Sequence, residues 1–249
     1  MMVAVPVVLL ALYVWGVVRA RRPWPWHRTA AFALGCAVLA AALAGPIEAR
    51  SDGDLPMHMV QHLLIATAAP ALLALGAPIR LALAALPAEG RRALGRALHL
   101  RAVRVLAHPA VATGLAAAAM VAVHLTGLFD AAAGSGALHG LEHALLFWTA
   151  LVAWMAVLAV DPLPHTPDAI GALAWVSVGM VAMTAVGAVL ASDDAPRYAH
   201  YPSLAAQQDA GTVMWLGGAA LLVPAACAVA MWALAREERR QQRREAVRR

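Results

Sequence analysis

Two pairs of histidines stand one helical turn apart within apolar stretches of the chain. His58 and His62 lie in the segment MHMVQH, and His139 and His143 lie in HGLEH. The i,i+4 spacing puts both imidazoles of a pair on one face of a helix, about 6 Å apart along the axis at a rise of 1.5 Å per residue. Because polar side chains are costly to bury among apolar ones, each pair indicates that something coordinates the two rings. The predicted chemistry is metal binding.

The residues around these pairs bear on which ion is bound. Imidazole suits zinc, copper, iron and nickel, whereas thioether sulfur selects Cu(I). Met59 lies beside His58, and Met214 lies in a later apolar segment that also carries Asp209. The two methionines favour copper, while Asp209 or His62 completes the three-ligand zinc site that is the alternative.

Two other chemistries fit the same histidines. HGLEH matches the H-x-x-E-H pattern, in which two histidines hold zinc and the glutamate, here Glu142, is the general base of a hydrolase. The third hypothesis is a haem-binding electron carrier with histidines from facing helices as axial ligands. It is the least favoured, because histidines four residues apart on one helix are too close to serve two haems.

The composition predicts the surroundings of these residues. Of the 249 residues, 62% are hydrophobic and only 13% are charged, a balance that ordinary soluble domains do not show. All basic residues are arginines, and they lie between and after apolar blocks. Membrane topology explains this arrangement better than a nucleic-acid partner does. The chain is therefore predicted to lie in a lipid bilayer and to bind no nucleic acid.

Helices that cross the bilayer must position the histidines. A hydrocarbon core of about 30 Å needs roughly 20 apolar residues per helix. We predict an all-α integral membrane protein in which residues 1–235 form a single domain of seven transmembrane helices. The predicted spans are Met2–Val18, Thr29–Ile47, Met57–Leu75, Pro109–Leu128, Gly136–Val160, Ala169–Ala191 and Gln207–Ala235.

The arginines orient these spans. With the N-terminus outside, 17 of the 19 arginines fall on the inner side, and the two exceptions are Arg50 and Arg197. This bias fits the positive-inside rule and predicts a multi-pass plasma-membrane protein with a cytoplasmic C-terminus. Arg19, Arg21 and Arg22 follow the first span instead of preceding it, so we expect an uncleaved anchor and not a signal peptide.

Two basic segments are predicted on the cytoplasmic side. The stretch of about 76–108 interleaves leucines and alanines with six arginines, which is typical of an amphipathic helix at the membrane surface. Residues 236–249 form a basic tail, which we interpret as a solvated helix end.

This orientation gathers the histidines at the outer leaflet. The first pair lies at the outer start of the third span, His124 near the outer end of the fourth, and the second pair at the outer start of the fifth. Whether His124 and His200 bind the ion is left open by the sequence. Gln61 and Glu142 are expected to support the site. The predicted metal ligands are His58, His62, His139 and His143, with His124, Met59, Met214 and Asp209 as secondary candidates.

Longer motifs show a family resemblance. MHMVQHLL at 57–64, followed by AP at 69–70 and LGAP at 75–78, resembles the polytopic CtaG family of cytochrome c oxidase assembly proteins. The similarity continues at HGLEH and at QDAG and MW between 208 and 215, and so extends over most of the chain from about residue 45.

The resemblance implies a function. It implies a seven-span bacterial plasma-membrane chaperone, not an enzyme, that is needed to mature haem–copper oxidase at the step of copper delivery to oxidase subunits. An extracytoplasmic copper carrier is then an expected partner at the outer face. The resemblance makes a zinc hydrolase less favoured, and it implies that Glu142 orients a histidine.

Overall fold

A computed structural model describes residues 4–248, which form helices and contain no strand. Met2 and Val3 of the first predicted span and Arg249 of the predicted tail lie outside the described residues. The helices are α1 (Ala4–Arg19), α2 (Trp26–Leu43), α3 (Pro46–Ser51), α4 (Leu55–Leu63), α5 (Ala69–Leu75), α6 (Pro78–Ala85), α7 (Ala88–Leu98), α8 (Arg101–Leu106), α9 (Pro109–Leu125), α10 (Leu128–Ala133), α11 (Gly136–Leu158), α12 (Ala169–Ser192), α13 (Leu204–Thr212) and α14 (Gly218–Arg248).

The length and composition of these helices identify a multi-pass membrane protein. Among the described residues, five helical stretches are long and apolar enough to cross a bilayer, whereas α1 and α9 are shorter apolar helices. Exposed apolar side chains cover the outside of the bundle, as Ile170 and Val181 do on α12. The five stretches are Trp26–Ser51, Leu55–Ala85, Gly136–Leu158, Ala169–Ser192 and Leu204–Arg239.

Proline and glycine set the helix ends. The second predicted span, Thr29–Ile47, lies within the apolar stretch Trp26–Ser51, which divides into two helices because α2 ends at Leu43 and α3 begins at Pro46. Gly45 separates them with a φ of 77°, a backbone conformation that glycine adopts without strain. Helix α5 ends at Leu75, the residue at which the third span was predicted to end, because Ala77 turns into the left-handed region before Pro78 starts α6.

The helix of the first histidine pair has two local features that fix its position. The side chain of Asp54 accepts a hydrogen bond from the Met57 amide at 3.1 Å and caps the start of α4. A π-helical turn, Leu64–Ala68, joins α4 to α5. Such turns are frequent at functional sites, and a second one, Val213–Gly217, joins α13 to α14.

Small residues allow helices to pack closely around α4. A Cβ atom added to Gly187 of α12 would lie 2.7 Å from the Gly211 carbonyl oxygen on α13, so only hydrogen fits there. Helix α13 in turn packs against α4, and α11 packs against α9 and α5. The helices that carry the histidines are thus held together in one bundle.

We call the end of the bundle that lies away from the two histidine pairs and carries most of the arginines the arginine end. There Asp161 accepts hydrogen bonds from the amides of Arg80, at 2.7 Å, and Ile79, at 3.3 Å, and so caps the start of α6. The Arg80 guanidinium donates to the Val160 carbonyl. These bonds join α6 to the end of α11.

A second set of bonds at the arginine end joins α12 to α14. The Arg236 guanidinium donates to the Pro167 carbonyl at 2.6 Å, and the Ala169 amide donates to the Glu237 carboxylate at 2.9 Å. Helices α7 and α8, which lie within the predicted amphipathic segment 76–108, have no buried residue.

Candidate metal centre

Five histidine rings from three helices meet at one end of the bundle, which we call the histidine end. Within α4, the ring centroids of His58 and His62 are 4.5 Å apart. Those of His139 and His143 on α11 are 4.2 Å apart. The two pairs face each other, with 5.3 Å between the His62 and His143 centroids, and His124 of α9 lies 5.0 Å from His62. The structure therefore brings the four paired histidines and His124 together.

His124 determines which ring nitrogen of His62 carries the proton. Its Nδ1 lies 2.8 Å from the Met120 carbonyl oxygen, which can only accept, so Nδ1 of His124 carries the proton. The Nε2 atom of His124 must then accept the hydrogen bond from Nδ1 of His62, at 2.9 Å. The lone pair of His62 is therefore on its Nε2.

Tyr201 fixes the protonation of His58 in the same way. The Tyr201 hydroxyl donates to the Ser51 carbonyl at 2.7 Å, so its oxygen accepts from Nδ1 of His58 at 3.2 Å. Burial raises the pKa of Tyr201 to about 12, with smaller contributions from nearby carboxylates, and this keeps the hydroxyl protonated. The lone pair of His58 is therefore also on its Nε2.

The two Nε2 lone pairs point at each other. The Nε2 atoms of His58 and His62 lie 3.1 Å apart, and both rings are at most 2% exposed. Two lone pairs at this distance repel unless a proton or a metal ion lies between them. Two nitrogens bound to one tetrahedral zinc ion at 2.0–2.1 Å stand about 3.3 Å apart, so the observed spacing is close to that of metal ligands.

Other polar atoms around these two nitrogens have no hydrogen-bond partner among the described residues. They are both oxygens of Glu142, both nitrogens of His143 and Nε2 of His139. Leaving buried polar groups unpaired costs about 1–3 kcal/mol each, and more for charged groups. The Oε1 atom of Glu142 lies 3.8 Å from Nε2 of His62, too far for a hydrogen bond. The site therefore has donor atoms to spare for a cation.

These donors form two groups of three. His58, His139 and His143 offer ligand atoms that all lie within 4.8 Å of one another, and so do His58, His62 and Glu142. We call the first group the outer triad, because His139 is only half-buried, and the second the inner triad, because all its members are buried. The outer triad offers three imidazole nitrogens and the inner triad two imidazole nitrogens and a carboxylate, and both donor sets suit zinc and Cu(II).

Aromatic side chains enclose the rings. Phe129 of α10 packs with its centroid 5.0 Å from His58 and 5.9 Å from His124. Tyr198 lies 4.4 Å from Phe129, and its hydroxyl donates to the His124 carbonyl at 2.8 Å. This apolar enclosure keeps water away and strengthens electrostatic interactions inside.

The loop at 193–203 carries both tyrosines and is tied to α13 by Gln207. The Gln207 side chain accepts from the Arg197 amide at 2.6 Å and donates to the Asp193 carboxylate at 2.9 Å. Asp130 of α10 accepts from the amides of Ala199 and His200. The loop thus holds the Tyr201 hydroxyl at His58 through bonds to two helices.

Several of the predicted site residues lie apart from the triads. Asp209 is exposed on α13 and belongs to neither triad, whereas Gln207, two residues earlier, is buried. Gln61 turns its amide away to the Ala42 carbonyl, at 2.8 Å, and to Glu48. Met59 and Met214 are fully buried in the apolar core, and their role as copper ligands stays a prediction.

The sequence reasoning missed three residues that shape the site. Tyr198 and Tyr201 lie on either side of His200, which was considered as a metal ligand. The two tyrosines are buried, whereas His200 is exposed. Phe129 lies in the short helix α10, and no pattern in the sequence predicts that this helix covers the rings. Two tyrosines that flank a histidine before a predicted span are the one signal that pointed to this loop.

A comparison with known families gives one match. A family model described as cytochrome c oxidase caa3 assembly factor (Caa3_CtaG) matches residues 11–236. No solved structure matches the chain.

Three uncharacterized mycobacterial proteins are similar in sequence. Those of Mycobacterium bovis and Mycobacterium tuberculosis are each 33% identical over 189 residues, which is 68% of this chain and 28% of the relative. One from Mycobacterium leprae is 29% identical over 172 residues, covering 65% of this chain and 26% of the relative. The match thus spans under a third of the length of these curated relatives.

Proposed function

The chain belongs to the family of cytochrome c oxidase caa3 assembly factors, and we propose that it binds copper at the histidine end for delivery to the oxidase. The recipient is an oxidase subunit, and copper is the cargo, not a resident cofactor. In this proposal the chain carries out no reaction of its own and serves as a membrane chaperone.

One observation carries the proposal of a metal site. The hydrogen bonds that His62 donates to His124 and His58 donates to Tyr201 leave the Nε2 lone pairs of His58 and His62 facing each other at 3.1 Å. Both contacts act on the ring nitrogen opposite the ligand atom, as carbonyls and hydroxyls do behind metal-binding histidines. A protein that needed these rings only for packing would not aim two lone pairs at one point.

The topology proposed for this function has seven spans with the N-terminus outside. The arginines of α6, α7, α8 and α14 then lie at the cytoplasmic face of a bacterial plasma membrane, as the positive-inside rule favours. The spans form one domain over residues 1–235, and the basic tail 236–249 is cytoplasmic. The histidine end then lies in the outer leaflet, where an extracytoplasmic copper carrier can reach the half-buried His139.

Membership of an assembly-factor family does not favour the alternative, a zinc hydrolase. In the H-x-x-E-H pattern both histidines hold the metal and the glutamate activates water. Here His58 belongs to both triads, and Glu142 groups with His58 and His62 on another helix as a candidate ligand. Copper found in the purified protein supports the assembly role, zinc supports the hydrolase, and iron with a Soret band supports a haem carrier.

The test is a comparison of metal content between variants. The full chain, purified in detergent and dialysed against Cu²⁺, is analysed for copper per protein. We expect the double variant His62→Ala, His143→Ala to lose bound copper while remaining inserted in the membrane. His200→Ala is the matched control, because His200 is exposed and belongs to neither triad. Full copper content in the double variant overturns the assignment.

A further inference from the structure

The outer and inner triads share one residue, His58. The outer triad adds His139 and His143 from α11, and the inner triad adds His62 from α4 and Glu142 from α11. Because Nδ1 of His58 is held by the Tyr201 hydroxyl, only Nε2 remains for a metal. One nitrogen lone pair binds one ion, so the two triads exclude each other.

We infer that a single copper ion occupies the two triads in turn, entering at the outer one and passing to the inner one while His58 stays bound. This inference rests on the proposed function, since it needs copper at the histidine end. It adds a path for the ion and assigns Glu142 the role of ligand at the end of that path.

Exposure sets the point of entry. His139 is half-buried, whereas His58, His62, His143 and Glu142 are buried. An ion arriving from outside therefore meets the outer triad first. Both nitrogens of His143 lack a hydrogen-bond partner within the described part of the chain, so the ring can bind the incoming ion and release it again.

Charge and rigidity make the inner triad the tighter position. The outer triad has three neutral imidazoles, whereas the inner triad includes a carboxylate that compensates the charge of the ion in a low-dielectric site. His62 is held in place by His124, and Glu142 has no other partner among the described residues. The ion therefore gains an anionic ligand by moving inwards.

The transfer is a ligand exchange without electron transfer. The bonds from copper to His139 and His143 break, and bonds to Nε2 of His62 and to a Glu142 oxygen form, while the bond to His58 is kept. Imidazole and carboxylate bind copper in their deprotonated forms, so any proton that Glu142 carries in the empty site is released to solvent.

Two variants separate the two positions. His139→Gln disrupts the outer triad and Glu142→Gln the inner one, and His200→Ala is the control. Each is purified as the full chain, compared with wild type by size-exclusion chromatography, and mixed with Cu²⁺. Loading is followed in time, copper per chain is measured, and electron paramagnetic resonance reports the ligand set.

We expect wild type to bind one copper per chain with mixed nitrogen and oxygen ligands. His139→Gln keeps this spectrum and stoichiometry but loads about tenfold more slowly or worse. Glu142→Gln loads as fast as wild type, shows nitrogen ligands only, and loses about tenfold or more in affinity, the scale of a lost supporting group at a metal site.

Other outcomes overturn the inference. Two copper ions per chain show that the triads do not exclude each other. Identical spectra for wild type and Glu142→Gln exclude the carboxylate as a ligand, and unchanged loading of His139→Gln excludes the outer triad as the entry. Absence of copper from wild type contradicts the proposed function itself, so the two failures are distinguishable.

Discussion

Two buried carboxylates, one at each end of the bundle, have opposite surroundings. Asp161 at the arginine end is 4% exposed and accepts hydrogen bonds from two amides at the start of α6. Glu142 at the histidine end is 7% exposed, and neither of its oxygens has a partner among the described residues. Because the two side chains are similarly buried, this difference in hydrogen bonding supports a structural role for Asp161 and the proposed ligand role for Glu142.

The same difference applies to the histidines of the two ends. His108 and His165 pack against each other at the arginine end, with ring centroids 4.7 Å apart, and Nδ1 of His108 accepts from the Ala110 amide at the start of α9. At the histidine end the rings bond to one another, and their free lone pairs converge. Histidines thus lie close together at both ends, but ring nitrogens with free lone pairs converge at the histidine end.

The largest effect is expected from removing a ring at each end in turn. His62→Ala should lower copper affinity at least about 100-fold, or about 2.7 kcal/mol, because it removes a ligand and also the partner of His124. His165→Ala should leave copper affinity unchanged. Equilibrium dialysis against a copper chelator of known affinity measures both.

That comparison fails if His165→Ala weakens copper binding as much as His62→Ala does. Equal losses mean that the ion binds at the arginine end, or that either substitution disrupts the bundle. Measuring the thermal unfolding of both variants in detergent distinguishes these two explanations.

Replacing the two carboxylates should change the unfolding free energy in opposite directions. Asp161→Ala leaves the amides of Ile79 and Arg80 without their acceptor and should cost about 1–3 kcal/mol of unfolding free energy. Glu142→Leu should be neutral or stabilising by up to about 2 kcal/mol in the copper-free protein, because it replaces a buried carboxyl that has no hydrogen-bond partner among residues 4–248 by an apolar side chain. Thermal or denaturant unfolding in detergent measures both.

The pH dependence of the Asp161 contribution follows from its surroundings. Burial raises the pKa of Asp161 above its ordinary value. The hydrogen bonds from the backbone amides of α6 act in the opposite direction but have the smaller effect. A carboxyl whose pKa is raised in the folded state makes the folded protein less stable as the pH rises through its titration range. The copper-free protein with Asp161→Asn should therefore lose less stability on going from acidic to neutral pH than wild type does, and an unchanged profile would contradict this.

Much of the fold could be predicted because its signals are local. Apolar blocks set the helices, and proline and glycine set ends such as Leu75. The gathering of the histidines was predicted from the arginine count, because spans that alternate in direction bring the ends on one side together. The break at Gly45 was missed because the apolar run continues across it.

The rest of the site depends on tertiary packing and on helix register. Asp209 and Gln207 are two residues apart, so they point to different faces of α13, and the sequence favoured the face that is exposed. The inward direction of Tyr201 depends on the bonds that Gln207 and Asp130 make to its loop. Contacts of this kind join residues far apart in the chain, and a single sequence carries no local pattern for them.

The smallest effect is expected from removing one hydroxyl at each end. Tyr201→Phe frees Nδ1 of His58 and lets the ring rotate or change tautomer, so copper affinity should fall about tenfold, or about 1.4 kcal/mol. Tyr13→Phe is the matched control, because its hydroxyl donates to the Gly76 carbonyl at 2.8 Å at the arginine end and touches no histidine of the triads. Both variants should lose stability to a similar small extent, but only Tyr201→Phe should change copper affinity and the electron paramagnetic resonance spectrum. A normal spectrum and affinity in Tyr201→Phe would mean that His58 is positioned by packing against Phe129 alone, and the two ends would then differ in their ligands but not in how those ligands are held.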